Sequence, residues 1–289
     1  MPKSLYKFLL KLFALLPLPL IHGIGFLVGW ISYWSDKKLA RRIRNNLSKS
    51  GIASNNKAHA QLVRKTIGET GKGIVETIAI WAKSQRSVLK WVKRCDGWQH
   101  VENALLTKKG LIFLTPHLGC FEITSRYYAA RQPLTILYTP AKKEWLATMM
   151  ESGRERSKTQ LAPANLTGVR RLLKSLKAGE AVGILPDQVP DTGEGVIANY
   201  FGEPVYTMTL ATKLAEATGA TVLLAYGERL AWGKGYNIHI EPLLTDPSPQ
   251  HINDAIEQLV RRKPEQYLWS YRRFKLPDQA REKRTKIPS

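Results

Sequence analysis

Short apolar runs recur through the middle of this chain, at 110–115, 134–138, 181–185, 220–226 and 236–240, and they restrict its fold more than any other feature. Each is too short for a core helix. The first is bounded by Lys108, Lys109 and Gly110 before and Pro116 after, which is how a strand buried on both faces reads. Stretches with helical apolar spacing separate the earlier runs, over 121–130, 168–177 and 207–218, and Gly179 and Gly219 sit where helix C-terminal stops belong. Strand and helix in alternation predict an α/β fold, a mostly parallel or mixed β-sheet flanked by helices. The length of 289 residues allows one such domain with extra elements, and 44% apolar residues supply a large core. Helical spacing also marks 57–81, 88–93 and 250–262.

The N-terminus adds a second constraint. Residues 12–31, LFALLPLPLIHGIGFLVGWI, carry no formal charge and are about long enough to cross a hydrocarbon core of ~30 Å as a helix. Trp30, Tyr33 and Trp34 follow as interfacial aromatics, then Lys37, Lys38, Arg41, Arg42 and Arg44 as a basic cluster suited to anionic headgroups. A cleavable signal peptide is disfavoured, because no small-residue cleavage site precedes the aromatics. Pro17 and Pro19 interrupt the helix, and Lys11 and His22 lie in the apolar region, so an in-plane anchor competes with a true span and with a buried soluble helix. The heavier positive charge follows the segment, which places the main body in the cytoplasm. The expected organisation is a membrane anchor over 1–35, one domain over 36–280, and a loose basic tail over 281–289.

The chain has 44 Lys and Arg against 23 Asp and Glu, a net charge of +21, which calls for an anionic partner. The apolar N-terminus and the lack of a zinc-finger spacing or an aromatic RNA-recognition signature argue for lipid rather than nucleic acid. The two cysteines, Cys95 and Cys120, are too few and too far apart for a disulfide framework or a clustered zinc site.

Chemistry concentrates just past the first predicted strand, in Thr115-Pro116-His117-Leu118-Gly119-Cys120-Phe121-Glu122. Catalytic groups gather at the C-terminal edge of such sheets. A histidine there can take a proton from a hydroxyl, and a carboxylate on its second ring nitrogen would fix the tautomer and stabilise the imidazolium. No G-x-S-x-G elbow supplies a serine, so the attacking hydroxyl would belong to a substrate. A histidine and a glutamate five residues apart also occur by chance in structural roles. Cys120 beside His117 reads as a small buried residue rather than a nucleophile.

The stretch from His117 to Glu122 resembles the H-x-x-x-x-D/E motif of the glycerolipid acyltransferase superfamily. Arg154-Glu155-Arg156, Leu185-Pro186-Asp187-Gln188, Tyr200-Phe201-Gly202-Glu203-Pro204-Val205, Glu265-Gln266-Tyr267-Leu268-Trp269 and Arg272-Arg273-Phe274-Lys275, in that order, are similar to the late acyltransferases of lipid A biosynthesis. The resemblance covers nearly the whole chain and implies a glycerol-3-phosphate acyltransferase-like fold. It implies transfer of a fatty acyl chain from acyl carrier protein to a hydroxyl of a lipid A precursor at the cytoplasmic face of the bacterial inner membrane. No metal or bound cofactor is implied. His117 would be the general base and Glu122 its orienting carboxylate. Arg156, with Arg154 as the fallback, would meet a phosphate or the oxyanion, and Asp187 would hold that arginine. Tyr271 stands where many relatives have a histidine. The same chemistry would serve a phospholipid, a mannosylated phosphoinositide or an amino lipid as acceptor. An inactive lipid-binding protein of the same fold is the alternative from another class.

Overall fold

The computed structural model describes residues 12–277; the predicted tail at 281–289 lies outside the described residues. Three helices come first: α1 (Leu18–Ser35), α2 (Lys37–Lys49) and α3 (Asn56–Ala82). The α/β body follows as α4 (Gln85–Leu89), β1 (Val92–Asp96), α5 (Trp98–Leu106), β2 (Leu111–Leu114), α6 (Phe121–Ala129), β3 (Leu134–Tyr138), α7 (Glu144–Arg154), β4 (Thr159–Pro163), α8 (Leu166–Lys177) and β5 (Ala181–Ile184). A hairpin, β6 (Gly195–Tyr200) and β7 (Glu203–Met208), then leads to α9 (Leu210–Thr218), β8 (Thr221–Arg229), β9 (Tyr236–Pro242) and α10 (Pro249–Arg262). Side chains with the right oxygen start the long helices. Asp36 accepts from the N–H groups of Lys38 (2.8 Å) and Leu39 (3.0 Å), and Asn55 accepts from Ala58 (2.9 Å).

All five apolar runs lie in one seven-stranded sheet of order β1–β9–β8–β2–β5–β3–β4. Every pairing in it is parallel except β8 with β9. The fold is therefore the mostly parallel α/β sheet expected. At its centre β2 is buried at all four residues, because helices cover both faces. One core face gathers Ile112, Leu114, Val182 and Ile184 with Leu172, Leu214 and Trp269. The other gathers Leu111, Phe113 and Ala181 with Ile123, Val101 and Ile80.

The structure departs from expectation at several elements. Residues 88–93 divide between the end of α4 and the start of β1 instead of forming a helix. The helix expected over 207–218 begins only at Leu210, because Thr207 and Met208 belong to β7. The hairpin β6–β7 forms a sheet of its own.

Helix α1 packs along α3 at backbone contact. A Cβ on Gly71 would lie 2.1 Å from the carbonyl oxygen of Gly25 and 2.3 Å from the nitrogen of Gly29, so only glycine permits this crossing. At the same contact, His22 Nε2 lies 3.0 Å from Glu76 Oε2. Tyr236 donates its hydroxyl to that oxygen (2.8 Å), and the Arg229 guanidinium donates to both Glu76 oxygens (2.8 and 2.5 Å). Burial pushes the Glu76 carboxyl up, but Arg229 and His22 outweigh it and hold the group far below the usual range. The segment expected as an anchor is thus tied into the core on one side. On its other side Leu20, Ile24, Leu27, Ile31 and Trp34 stand exposed in one stripe at helical spacing. Among the described residues, no helix is long and apolar enough to cross a membrane.

Candidate active site

The register of two parallel strands builds the site. Leu114 pairs with Ile184 at the ends of β2 and β5. Three residues beyond each strand end, past Pro116 and Pro186, stand His117 and Asp187. Equal offsets on adjacent parallel strands bring the two side chains together at one sheet edge. Asp187 accepts from the His117 backbone N–H through Oδ2 (2.9 Å) and meets the ring Nδ1 through Oδ1 (2.9 Å). Burial raises the Asp187 carboxyl, but the charge and hydrogen bonds of His117 prevail and keep it below its ordinary value, with Arg273 contributing. This is the carboxylate on the second nitrogen that a basic histidine needs. The other nitrogen, Nε2, faces outward beside the Gln188 amide at 3.4 Å.

The loop after His117 is held on both sides. Gly119 donates to the Gln266 carbonyl (3.0 Å) and Cys120 to that of Gly227 (2.8 Å), while the Leu268 N–H donates to the His117 carbonyl (3.0 Å). Gly119 adopts φ +60°, and a Cβ there would lie 2.1 Å from the Gly227 oxygen. The chain turns there into α6, which carries Glu122 in its first turn.

Glu122 does not hold the histidine ring; Asp187 takes the orienting position at Nδ1. Glu122 Oε1 instead accepts from Arg154 Nε (2.9 Å) and from a terminal nitrogen of the same guanidinium, in a buried ion pair. Arg154 lies over the Trp81 ring at 5.5 Å. Arg156, the arginine preferred from sequence, points elsewhere and donates to the Ser152 and Lys83 carbonyls (3.2 and 2.5 Å). Asp187 therefore holds the histidine rather than either arginine. Cys120 is fully buried; burial, reinforced by the charge of Glu76, raises its thiol well above the usual value, so it offers no thiolate.

Glu122 and Arg154 belong to the wall of a narrow apolar cavity between the sheet and α6. Phe113, Ile136, Ile184, Ala225 and Ile238 line it from the strands, Trp98 and Tyr128 from the helices. Gly183 and Ala225 keep its sheet wall low. Phe121, whose ring centroid is 4.9 Å from that of His117, is also part of the lining, so the histidine stands beside the cavity. A carboxylate-paired histidine next to an apolar slot suits acyl chemistry.

Comparison with known proteins decides the family. A family profile described as bacterial lipid A biosynthesis acyltransferase matches residues 2–276. The chain belongs to that family. It is an acyltransferase. The lipid A biosynthesis lauroyltransferase of Escherichia coli K12 is 27% identical over 269 residues, covering 90% of this chain and 87% of the relative. The palmitoleoyltransferase of the same organism is 28% identical over 274 residues, covering 92% and 88%. A lipid A biosynthesis acyltransferase of Haemophilus influenzae is 27% identical over 277 residues, covering 91% and 84%.

In this acyltransferase the C-terminal motif divides by side-chain direction. Arg273 points inward and donates to the Tyr206 carbonyl (2.7 Å), Thr207 Oγ1 (2.9 Å) and Asn253 Oδ1 (3.0 Å). Tyr271 accepts from the Val189 N–H (3.0 Å), tying the segment to the loop that carries Asp187. Gln266 stands out in the sequence only as part of the Glu265–Trp269 segment, with no role of its own. Its carbonyl accepts from Gly119, and its side-chain amide accepts from the Arg229 N–H and donates to the Arg229 carbonyl at the end of β8. Nothing local in the sequence signals such a role.

Proposed function

We propose that this protein transfers a fatty acyl chain from acyl carrier protein to a hydroxyl of a lipid A precursor, with His117 as general base. The pairing of His117 Nδ1 with the Asp187 carboxylate beside an apolar cavity carries the reading. Nδ1 keeps its proton against Asp187, which leaves the Nε2 lone pair free for the acceptor. Nε2 removes the hydroxyl proton as that oxygen bonds to the thioester carbonyl carbon. The tetrahedral oxyanion collapses, the C–S bond breaks, and the imidazolium returns its proton to the departing carrier thiolate. Glu122 positions Arg154, whose guanidinium lies on the cavity wall and is suited to the oxyanion. The acyl chain occupies the apolar cavity. These steps use side chains and the thioester alone, without metal or cofactor chemistry.

The protein works at the surface of the inner membrane, on the cytoplasmic side, with α1 lying in the membrane plane. The apolar stripe from Leu20 to Trp34 supports this reading, and Trp232, 86% exposed, adds a second apolar tip. Gly233 beside it sits against Leu18 and Pro19, so the tip neighbours the start of α1. The basic residues of α2 follow directly and suit anionic headgroups, and no role for nucleic acid is needed to explain the charge. Mass spectrometry of lipid A from cells with and without the protein tests the function: one acyl chain should be lost with it, and unchanged lipid A rejects the acceptor.

A further inference from the structure

We infer that a basic cleft beside the loop that carries Asp187, lined by none of the residues of the apolar cavity, binds a phosphate of the acceptor headgroup, through Arg42, Arg272 and Lys275. The inference rests on the proposed function for the identity of the acceptor. The cleft opens between α2, the loop after β5 and the C-terminal segment, and encloses about 630 Å³. That lies within the ~300–1,000 Å³ of small-molecule sites. It is a concavity for a headgroup rather than a face for a carrier protein, which needs about 800 Å² of matching surface.

Its position joins it to the chemistry. Val189 on its wall is two residues from Asp187, and Leu268, also part of its lining, donates its N–H to the His117 carbonyl. Its charge is one-sided, with three cations and a single carboxylate, Asp191. Among the described residues, neither Arg272 nor Lys275 is paired with a carboxylate, while Arg42 donates through Nε to the Lys38 carbonyl (3.3 Å) and lies close enough to the exposed Asp36 to help the Leu39 N–H lower its carboxyl. The fold holds this arrangement. Arg273 is anchored in the core and Tyr271 is tied to Val189, so Arg272 and Lys275 turn outward into the cleft. Guanidinium and ammonium groups without carboxylate partners are matched by a phosphate, which arginine grips with two parallel hydrogen bonds. A headgroup fixed there would carry its hydroxyl to His117 Nε2 while the acyl donor enters from the cavity side.

The test measures binding separately from turnover. In the His117→Ala background, a phosphorylated lipid A precursor and its phosphatase-treated form are titrated in detergent micelles against protein with and without Arg272→Gln/Lys275→Gln. The double substitution should weaken binding of the phosphorylated form by at least about 10-fold, as expected for lost charge-assisted hydrogen bonds, and leave the treated form unchanged. Lys109→Gln/Lys177→Gln, an equal charge loss at exposed positions by the opposite sheet edge, should change neither. With His117 restored, KM for the acceptor should rise while KM for acyl carrier protein holds. Equal binding by both proteins overturns the inference, as does a rise confined to the carrier-protein KM. Phosphate-dependent binding that is lost with Arg272 and Lys275, in a protein that transfers no acyl group, would keep the cleft and reject the proposed function.

Discussion

Replacing Asp187 by asparagine removes one charge and almost no volume from beside His117. The carboxylate serves two donors, the His117 backbone N–H and ring Nδ1, both at 2.9 Å. An amide has one accepting oxygen. If that oxygen meets Nδ1, the amide N–H₂ opposes the backbone N–H. If the amide nitrogen meets Nδ1, the ring must carry its proton on Nε2, which can then no longer act as a base. In either orientation the imidazolium formed during transfer loses its counter-charge. Two unit charges about 4 Å apart at an effective dielectric of about 20 attract by roughly 4 kcal/mol. At 1.36 kcal/mol per tenfold this sets an upper limit near 10³ in rate, so kcat should fall by about 10²–10³-fold. The unpaired buried N–H should cost about 1–3 kcal/mol of stability, a few degrees in Tm. Glu122→Gln should behave differently: it strands the buried Arg154 and costs about 3–5 kcal/mol of stability. Steady-state acyl transfer and thermal melts on both variants separate the two carboxylates. An Asp187→Asn enzyme within threefold of wild type, with Glu122→Gln inactive yet fully stable, would return the orienting role to Glu122.

Three further outcomes follow from the geometry. Gly71→Ala should lower stability by about 2 kcal/mol or more, since overpacking against fixed backbone outweighs the helix-propensity gain of about 1 kcal/mol; Gly23→Ala, which meets open space, should be neutral or stabilising in the same urea titration. Exchanging exposed Leu27, Ile31 and Trp232 for serine should reduce sedimentation with anionic vesicles by at least about 10²-fold, at roughly 1 kcal/mol per side chain, with Tm unchanged; retained sedimentation contradicts membrane docking by this face. The folded-state carboxyls of Glu76 and Asp187 lie below their ordinary values of 4.5 and 3.8, so their stabilisation is complete above those values and is lost as pH falls through the lowered ones. Melting temperature should thus hold between pH 7 and 5 and drop steeply only below about pH 4.5, whereas a decline already at pH 6 would exclude these groups as its cause.

The sequence made the central strands legible because β2, β3, β5, β8 and β9 are apolar enough to stand out as runs. The two outermost strands escaped. Val-Lys-Arg-Cys-Asp in β1 and Thr-Gln-Leu-Ala-Pro in β4 each have one sheet neighbour and partly exposed residues, so neither presents an uninterrupted apolar run. His117, Glu122, Arg154 and Asp187 were all legible as candidates, but not how they pair. Asp187 reaches His117 across 70 residues through the β2–β5 register, and Arg154 reaches Glu122 across 32 through the packing of α7. One trace did exist: two apolar strands, each followed by the same x-Pro-x step, end in histidine and aspartate. The anchor segment was legible as apolar, but its docking was not, because the glycine contact with α3 and the Glu76–Arg229 pair depend on partners far along the chain.

The central claim is acyl transfer driven by a His117–Asp187 base beside the apolar cavity. Purified protein mixed with acyl-loaded acyl carrier protein and a lipid A precursor tests it most directly, with products weighed by mass spectrometry. Wild type should yield a lipid heavier by one acyl chain, and His117→Ala, still folded and still binding vesicles, should yield almost none. Equal product from both proteins, or an acyl group found covalently on the enzyme, would contradict the account.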